Sequence, residues 1–83
     1  MIAYEILVNG QRVCTAGASG VLDATVVWTP GPGSHPRLMV GGMDKGESEH
    51  LNWPAMTLGI GDEVTIRIVS TDNIDPPIRK RPA

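Results

Sequence analysis

The sequence predicts an all-β fold, a small antiparallel sandwich or barrel-like domain. Three observations predict it. Ile2, Tyr4, Ile6 and Val8 alternate with Ala3, Glu5, Leu7 and Asn9, which is the period of a strand. Asn9-Gly10 follows at once, and this pair tolerates the positive φ that a two-residue hairpin turn requires. Finally, no ten-residue window carries the i, i+3, i+4, i+7 spacing of an amphipathic helix, and 10 glycines and 7 prolines interrupt the chain throughout.

The elements follow in order. A two-residue loop at Asn9-Gly10 pairs Val8 with Gln11, Ile6 with Val13 and Tyr4 with Thr15, so Tyr4, Ile6, Val8 and Val13 are expected on the core face. Glu5, Leu7, Arg12 and Cys14 are then expected on the other face. Gly17-Ala-Ser-Gly20 breaks the chain before a third strand, Val21 to Thr29, with Leu22, Ala24, Val26 and Trp28 on one face. Pro30 to Pro36 holds three prolines and two glycines, which exclude helix and central strand, and reads as an exposed loop. Arg37 to Val40 is a fourth strand, which Gly41-Gly42 is expected to weaken or bulge. A turn at Asp44–Glu47 leads into a strand at residues 49–53, and Pro54 ends it. Met56, Leu58 and Ile60 alternate across Gly59 and Gly61. Gly61-Asp62 then turns into the clearest strand of the chain, in which Val64, Ile66 and Ile68 are expected to face in and Thr65 and Arg67 out. Six short strands with turn signals between them give a sandwich or small barrel. Residues 1–73 are read as the domain, and residues 74–83 as an extended or disordered, proline-rich basic tail with no core pattern.

The 83 residues suffice for one domain. A chain of this length buries only roughly 60–65% of the surface its unfolded form exposes, so its core is thin. Tyr4, Trp28 and Trp53 are its aromatic residues, and the core must be built mainly from Val, Ile, Leu and Met. The net charge of −2 argues against nucleic acid as a partner, because phosphate binding needs a basic field. Charge is uneven: Asp44, Glu47, Glu49, Asp62 and Glu63 face only Lys45 in their stretch, while Arg79-Lys80-Arg81 makes the end basic. The single cysteine, Cys14, excludes an intramolecular disulfide and points to a reducing compartment, the cytoplasm. No stretch reaches the ~20 apolar residues of a membrane-spanning helix, so no membrane association is expected.

Several phrases together resemble a family of small, uncharacterised bacterial proteins. They are Asn9 to Gly17, Val40-Gly-Gly42, Glu49-His-Leu-Asn-Trp53, Gly61 to Val69 and Asp75-Pro-Pro77. The resemblance spans most of the chain and is weakest in the Pro30–Pro36 loop. It implies a bacterial cytosolic origin and a compact β fold, and it brings no activity, cofactor or functional residue with it.

No motif for catalysis is present. The serines lack a Gly-x-Ser-x-Gly context, and the glycines punctuate strands where a phosphate loop would need them to open a helix. Cys14 has Arg12 beside it and Glu5 across from it, with no histidine nearby in sequence, so an inert thiol is favoured over a nucleophile. Asp44, Glu47, Glu49 and His50 form the densest polar group. A zinc site wants three or four well-placed ligands, and the remaining candidates, His35 and Cys14, lie elsewhere. No metal and no cofactor is therefore expected, and an enzyme is not expected.

Binding remains. Leu7, Val21, Val27 and Met39 fall opposite the main core faces of their strands, where a two-layer sandwich should be polar. This apolar second face is expected to be covered by a protein partner or by a second copy. Trp28 and Trp53 each lie in register with apolar neighbours of their own strand, so core packing is expected for both. Trp28, at a strand end beside the Pro30–Pro36 loop, is the one expected to be partly exposed, and the binding patch is expected near it, with His35 in that loop. Arg79, Lys80 and Arg81 would extend it. The expected function is thus a non-catalytic protein–protein interaction module, a class that includes inhibitors and immunity-like proteins. The alternative is a small-ligand or carbohydrate-binding module built on Trp53, Glu49, His50 and Asn52, in which the indole stacks on a sugar.

Overall fold

The computed structural model describes residues 1–82, and their side chains as far as Ile78. It contains strands and turns only, arranged as two antiparallel sheets. The chain runs through β1 (Ile2–Val8), β2 (Gln11–Ala16), β3 (Val21–Val27), β4 (Arg37–Met43), β5 (Glu49–Asn52), β6 (Met56–Thr57), β7 (Val64–Ser70) and β8 (Arg79–Pro82). One sheet has the order β2-β1-β7. The other has the order β3-β4-β5-β8, with β6 paired to the remaining length of β4.

The hairpin forms as the sequence predicts. Asn9 and Gly10 take φ values of 53° and 80°, and the loop joins β1 to β2 at the pair Val8 and Gln11. Asn9 has a second task. Its amide nitrogen donates to Asp62 Oδ1 at 3.0 Å, and its Oδ1 accepts from the Glu63 backbone N–H at 3.0 Å. The backbone N–H of Asn9 donates to the Glu63 carbonyl at 2.9 Å. The two turns at this end of the sheet are therefore latched together, and β7 is brought beside β1 in full register from Ile2↔Ser70 to Val8↔Val64. The hydrogen bonds from Asn9 and from the Gly59 N–H hold the Asp62 carboxyl below the usual carboxylate range.

The core lies between the sheets. Ile6, Val8, Cys14 and Ala16 face Leu38, Val40 and Leu51, and Trp53 and Leu58 close the end. Two separate sheets make this a sandwich. Its shortest dimension is 16 Å, which leaves room for one apolar layer between the sheets.

Four expectations need correction. First, β2 does not pair as an uninterrupted ladder. Ile6 opposes Cys14 and Leu7 opposes Arg12, so Val13 is an inserted residue. A bulge shifts every later side chain to the opposite face. Cys14 thus enters the core with 1% of its surface exposed, and Tyr4 faces Ala16 where Thr15 was expected. Second, Ile66 and Ile68 share a face with Val64 and Ile6, yet they are 44% and 69% exposed. The second sheet does not extend over β7, and burial of an inward face requires a layer opposite it. Third, Gly41 and Gly42 do not interrupt β4, which keeps one register with β3 over seven residues. Their role is close approach: a Cβ on Gly42 would lie 2.5 Å from the Val21 carbonyl oxygen. Fourth, of the alternating Met56, Leu58 and Ile60, only Leu58 is buried, and the strand there is two residues long.

The chain end is tied into the fold. Asp75 N–H donates to the Thr15 carbonyl at 2.9 Å, and Asp75 Oδ2 accepts from the Thr15 N–H at 2.9 Å and from Arg12 Nη1 at 2.7 Å. The Asp75 carbonyl accepts from Trp53 Nε1 at 2.8 Å. One residue therefore holds the outer edge of β2 and the largest core side chain at once. Pro76 and Pro77 carry the chain across the gap without leaving free N–H groups. Ile78 N–H then donates to the Asn52 carbonyl, and β8 pairs with β5 from Asn52↔Arg79 to Glu49↔Pro82.

The hydrogen bond from Arg12, then that from Thr15, holds the Asp75 carboxyl below its ordinary range. A depressed native pKa stabilises the fold above the unfolded carboxylate value and loses that contribution as pH falls through the native value. Thermal melts should therefore drop in midpoint as pH is lowered from about 4, the unfolded carboxylate value. Asp75→Asn should be less stable than wild type at neutral pH, and the gap should close in acid. A constant gap between the two proteins across the titration would show that the Asp75 charge is not involved.

Candidate binding surface on the second sheet

The outer face of the second sheet is built by β3 and β4. Val21, Asp23, Thr25 and Val27 alternate outward on β3, opposite Met43, Gly41, Met39 and Arg37 of β4. Val21, Val27 and Met39 are exposed, Met39 to 47%. Three of the four apolar residues expected on an uncovered face are therefore exposed here, while Leu7 lies on β1 of the other sheet and is half-buried.

Two adjoining hollows lie there and share Arg37 and Met39. One, of about 320 Å³, is lined also by Val40, Asn52, Trp53, Ala55 and Ile78. The other, of about 200 Å³, is lined also by Val27, Thr29, Ser34 and His35. Together they make one groove from the Pro30–Pro36 loop to the point where the chain end joins β5. Met39 is its centre. The Arg37 guanidinium stands at the junction and makes no ion pair among the described residues. The Asn52 side-chain nitrogen lies in the wall, out of contact with solvent and without a hydrogen-bond partner among the described residues.

Trp28 rises beside this groove, 58% exposed. Its indole N–H donates to Ser34 Oγ at 3.3 Å, and Ser34 N–H donates to the Gly31 carbonyl at 3.1 Å. The loop that sets the position of Trp28 is thus internally bonded, with Gly33 supplying a φ of 72°. The tryptophan presents its ring to solvent from a fixed base, which lowers the entropy lost on binding.

The other proposed binding group does not assemble. Trp53 is 2% exposed and donates its indole N–H to Asp75, so it has no ring face for a sugar, and the stacking role is corrected. Glu49 belongs to a separate hollow of about 190 Å³ with Asp44, Glu47 and Leu51, and its lining is dominated by like charges. His50 is exposed and lines neither hollow, while Asn52 opens into the Met39 groove. The residues share a strand but not a site. The expected contributions of the Arg79, Lys80 and Arg81 side chains lie outside the described residues.

A third depression, of about 420 Å³, is bordered by Glu5, Arg12, Thr15, Val69, Thr71, Asn73 and Asp75. Its charges are already neutralised, Arg12 by Asp75 and Arg67, alongside, by Glu5. It offers no unpaired charge to a ligand. Cys14 does not face any of these hollows. Burial pushes its thiol pKa up, and the Asp75 carboxylate adds to that, so the sulfur is held protonated, the reverse of what a nucleophile needs. Among the described residues no three His, Cys, Asp or Glu side chains come close enough to hold a metal ion.

Arg37, Ala55 and Ile78 were not legible as site residues. Arg37 reads as the polar start of a strand, and Ile78 belongs to a stretch with no periodicity. Met39 was legible through its phase, since it is apolar where Leu38 and Val40 already fill the core face.

The two tryptophans should separate cleanly. Trp53→Ala removes a core side chain and should cost about 3–5 kcal/mol, lowering the melting midpoint by at least about 10 °C. Trp28→Ala should stay within about 3 °C of wild type, as a surface change does. Equal losses for both would mean that Trp28 is packed rather than presented.

Comparison with known proteins adds no identity to this geometry: no family model, no curated protein and no solved structure matches the chain.

Proposed function

We propose that the protein is a non-catalytic interaction module that binds a segment of another protein along the outer face of its second sheet. The observation that carries this reading is the groove centred on Met39. It combines exposed apolar side chains and a cation without an ion-pair partner among the described residues on a face that a two-layer sandwich normally leaves polar, with a fixed, exposed tryptophan bonded to Ser34 at its border. Tryptophan and arginine flanking an apolar centre is the composition of a binding hot spot. The chemistry favours an extended, apolar partner segment carrying a carboxylate. The apolar part would lie over Met39 and Ile78, and the carboxylate would meet Arg37 as a charge-assisted, bidentate pair. Occlusion of a partner's surface, as inhibitors and immunity proteins achieve it, needs no more than this.

The free, buried Cys14 supports a reducing compartment, and we place the protein in the cytoplasm on that ground. Within the described residues there is no helix long and apolar enough to cross a membrane.

The test uses the intact protein as bait in a native lysate, beside Met39→Lys, Arg37→Glu and, as a control on the other sheet, Ile68→Lys. A specific partner should be retained by wild type and by Ile68→Lys, and lost by Met39→Lys and Arg37→Glu. Loss with Ile68→Lys alone would move the binding surface to the uncovered face of β7 and overturn the assignment. Retention by all four proteins would overturn it as well.

A further inference from the structure

A sheet edge is a row of backbone donors and acceptors, and proteins ordinarily blunt such edges with bulges, charges, prolines or covering segments. Two of the edges here are treated in that way. The outer edge of β2 carries the bulge at Val13 and is occupied at Thr15 by both the N–H and the carboxylate of Asp75. The outer edge of β7 has Arg67 at its midpoint, ion-paired to Glu5 on the neighbouring strand. A second β7 added antiparallel about that midpoint would set arginine against arginine, which is unfavourable.

The outer edge of β3 has no bulge, proline or covering segment among the described residues, and its one charged residue is Asp23. Among the described residues it has no hydrogen-bonded neighbour beyond β4. It is seven residues long, holds one register with β4 throughout, and contains no proline, lysine or arginine. Its order, Val-Leu-Asp-Ala-Thr-Val-Val, is also self-complementary. Antiparallel pairing of two copies about Ala24 sets Val21 opposite Val27 of the second copy, Leu22 opposite Val26 and Asp23 opposite Thr25. On the outer face, apolar residues meet apolar residues, and each carboxylate meets a hydroxyl donor and not the other carboxylate. On the inner face, exposed Val26 gains the half-buried Leu22 as a neighbour. Ala24, the smallest of these side chains, sits on the axis where the two copies meet most closely.

We propose that β3 is a dimerisation edge, across which the second sheets of two copies join about a two-fold axis at Ala24. The occupant is a second copy because the residue order is matched to itself in this register, as an isologous contact requires. This goes beyond the binding role above. It uses the edge of β3: Val27 belongs both to this seam and to the rim of the groove, while Arg37, Met39 and Ile78 lie off the edge strand, so the dimer presents one groove on each copy beside the seam.

Sedimentation equilibrium at high micromolar concentration tests the proposal directly, with variants at Thr25, an exposed position. Wild type should be dimeric. Thr25→Asp sets aspartate against Asp23 of the second copy at two symmetric places, and should raise the dimer dissociation constant by at least about tenfold. Thr25→Lys makes an ion pair at the same places and should keep or tighten the dimer. Asp23→Lys combined with Thr25→Asp should restore it. Met39→Lys, which tests the groove, should leave the dimer intact. A monomeric wild type overturns the proposal whatever the variants do. So does equal weakening by Thr25→Asp and Thr25→Lys. Loss of the dimer in Met39→Lys with retention in Thr25→Asp would place the second copy in the groove and overturn the edge pairing.

Discussion

The contacts of Asp75 are the constraint on which the two layers depend. A thin sandwich has few core residues, and nothing in its interior fixes how one sheet sits over the other. Here the fastening is polar. The backbone and carboxylate of Asp75 grip β2 at Thr15 and Arg12, and its carbonyl receives the indole N–H of Trp53 from the other layer. The carboxylate is partly exposed, so its ion pair with Arg12 is screened and modest by itself. Its importance is geometric. Trp53 is buried, and an indole N–H left without an acceptor there would cost about 1–3 kcal/mol. The strap from Thr71 to Ile78 is thereby committed to one path, which delivers β8 to the free side of β5.

The same economy explains why so much apolar surface is left outside. Two layers with a minimum dimension of 16 Å can bury one face of each sheet. The first sheet projects past the second at β7, which leaves Ile66 and Ile68 uncovered, and the second sheet carries valines and a methionine on its outer face. These two exposures have different characters. The β7 isoleucines are the overhang of a core face, bordered by the Arg67–Glu5 pair. The Met39 face has concavity, a cation without an ion-pair partner among the described residues and a buried amide nitrogen without a described partner, and a tryptophan held by its own loop stands at its border. Only the second has the mixture of apolar area and directional groups that recognition requires.

Turn chemistry and strand period were legible because they act over a few residues. Asn9-Gly10, the Gly61-Asp62 turn and the absence of any helical period led directly to antiparallel strands. The faces were less legible, and particular residues show why. Val13 obeys the alternation as well as any neighbour, yet it is the inserted residue, and Cys14 takes its place opposite Ile6. Both registers satisfy the local pattern. The choice is made by Ala16 and Cys14 fitting into the core and by the Thr15 backbone bonding to Asp75 while its hydroxyl accepts from Arg12. For the site, Met39 was visible as an apolar residue in the wrong phase, whereas the alternation of each tryptophan with apolar neighbours points to the core for both, and only Trp53 goes there; Trp28 stood out solely by its place at a strand end.

The sequence by itself determined the class of fold, its hairpins, the lack of a catalytic motif and the presence of a surplus apolar face. Those follow from backbone preferences and side-chain periodicity, which are properties of neighbours along the chain. The tertiary structure decided which tryptophan is buried, which isoleucines are covered and which side chains share a groove. Those depend on whether a second layer lies opposite a given residue, and that is settled by contacts between positions some sixty residues apart, as between Arg12 or Thr15 and Asp75.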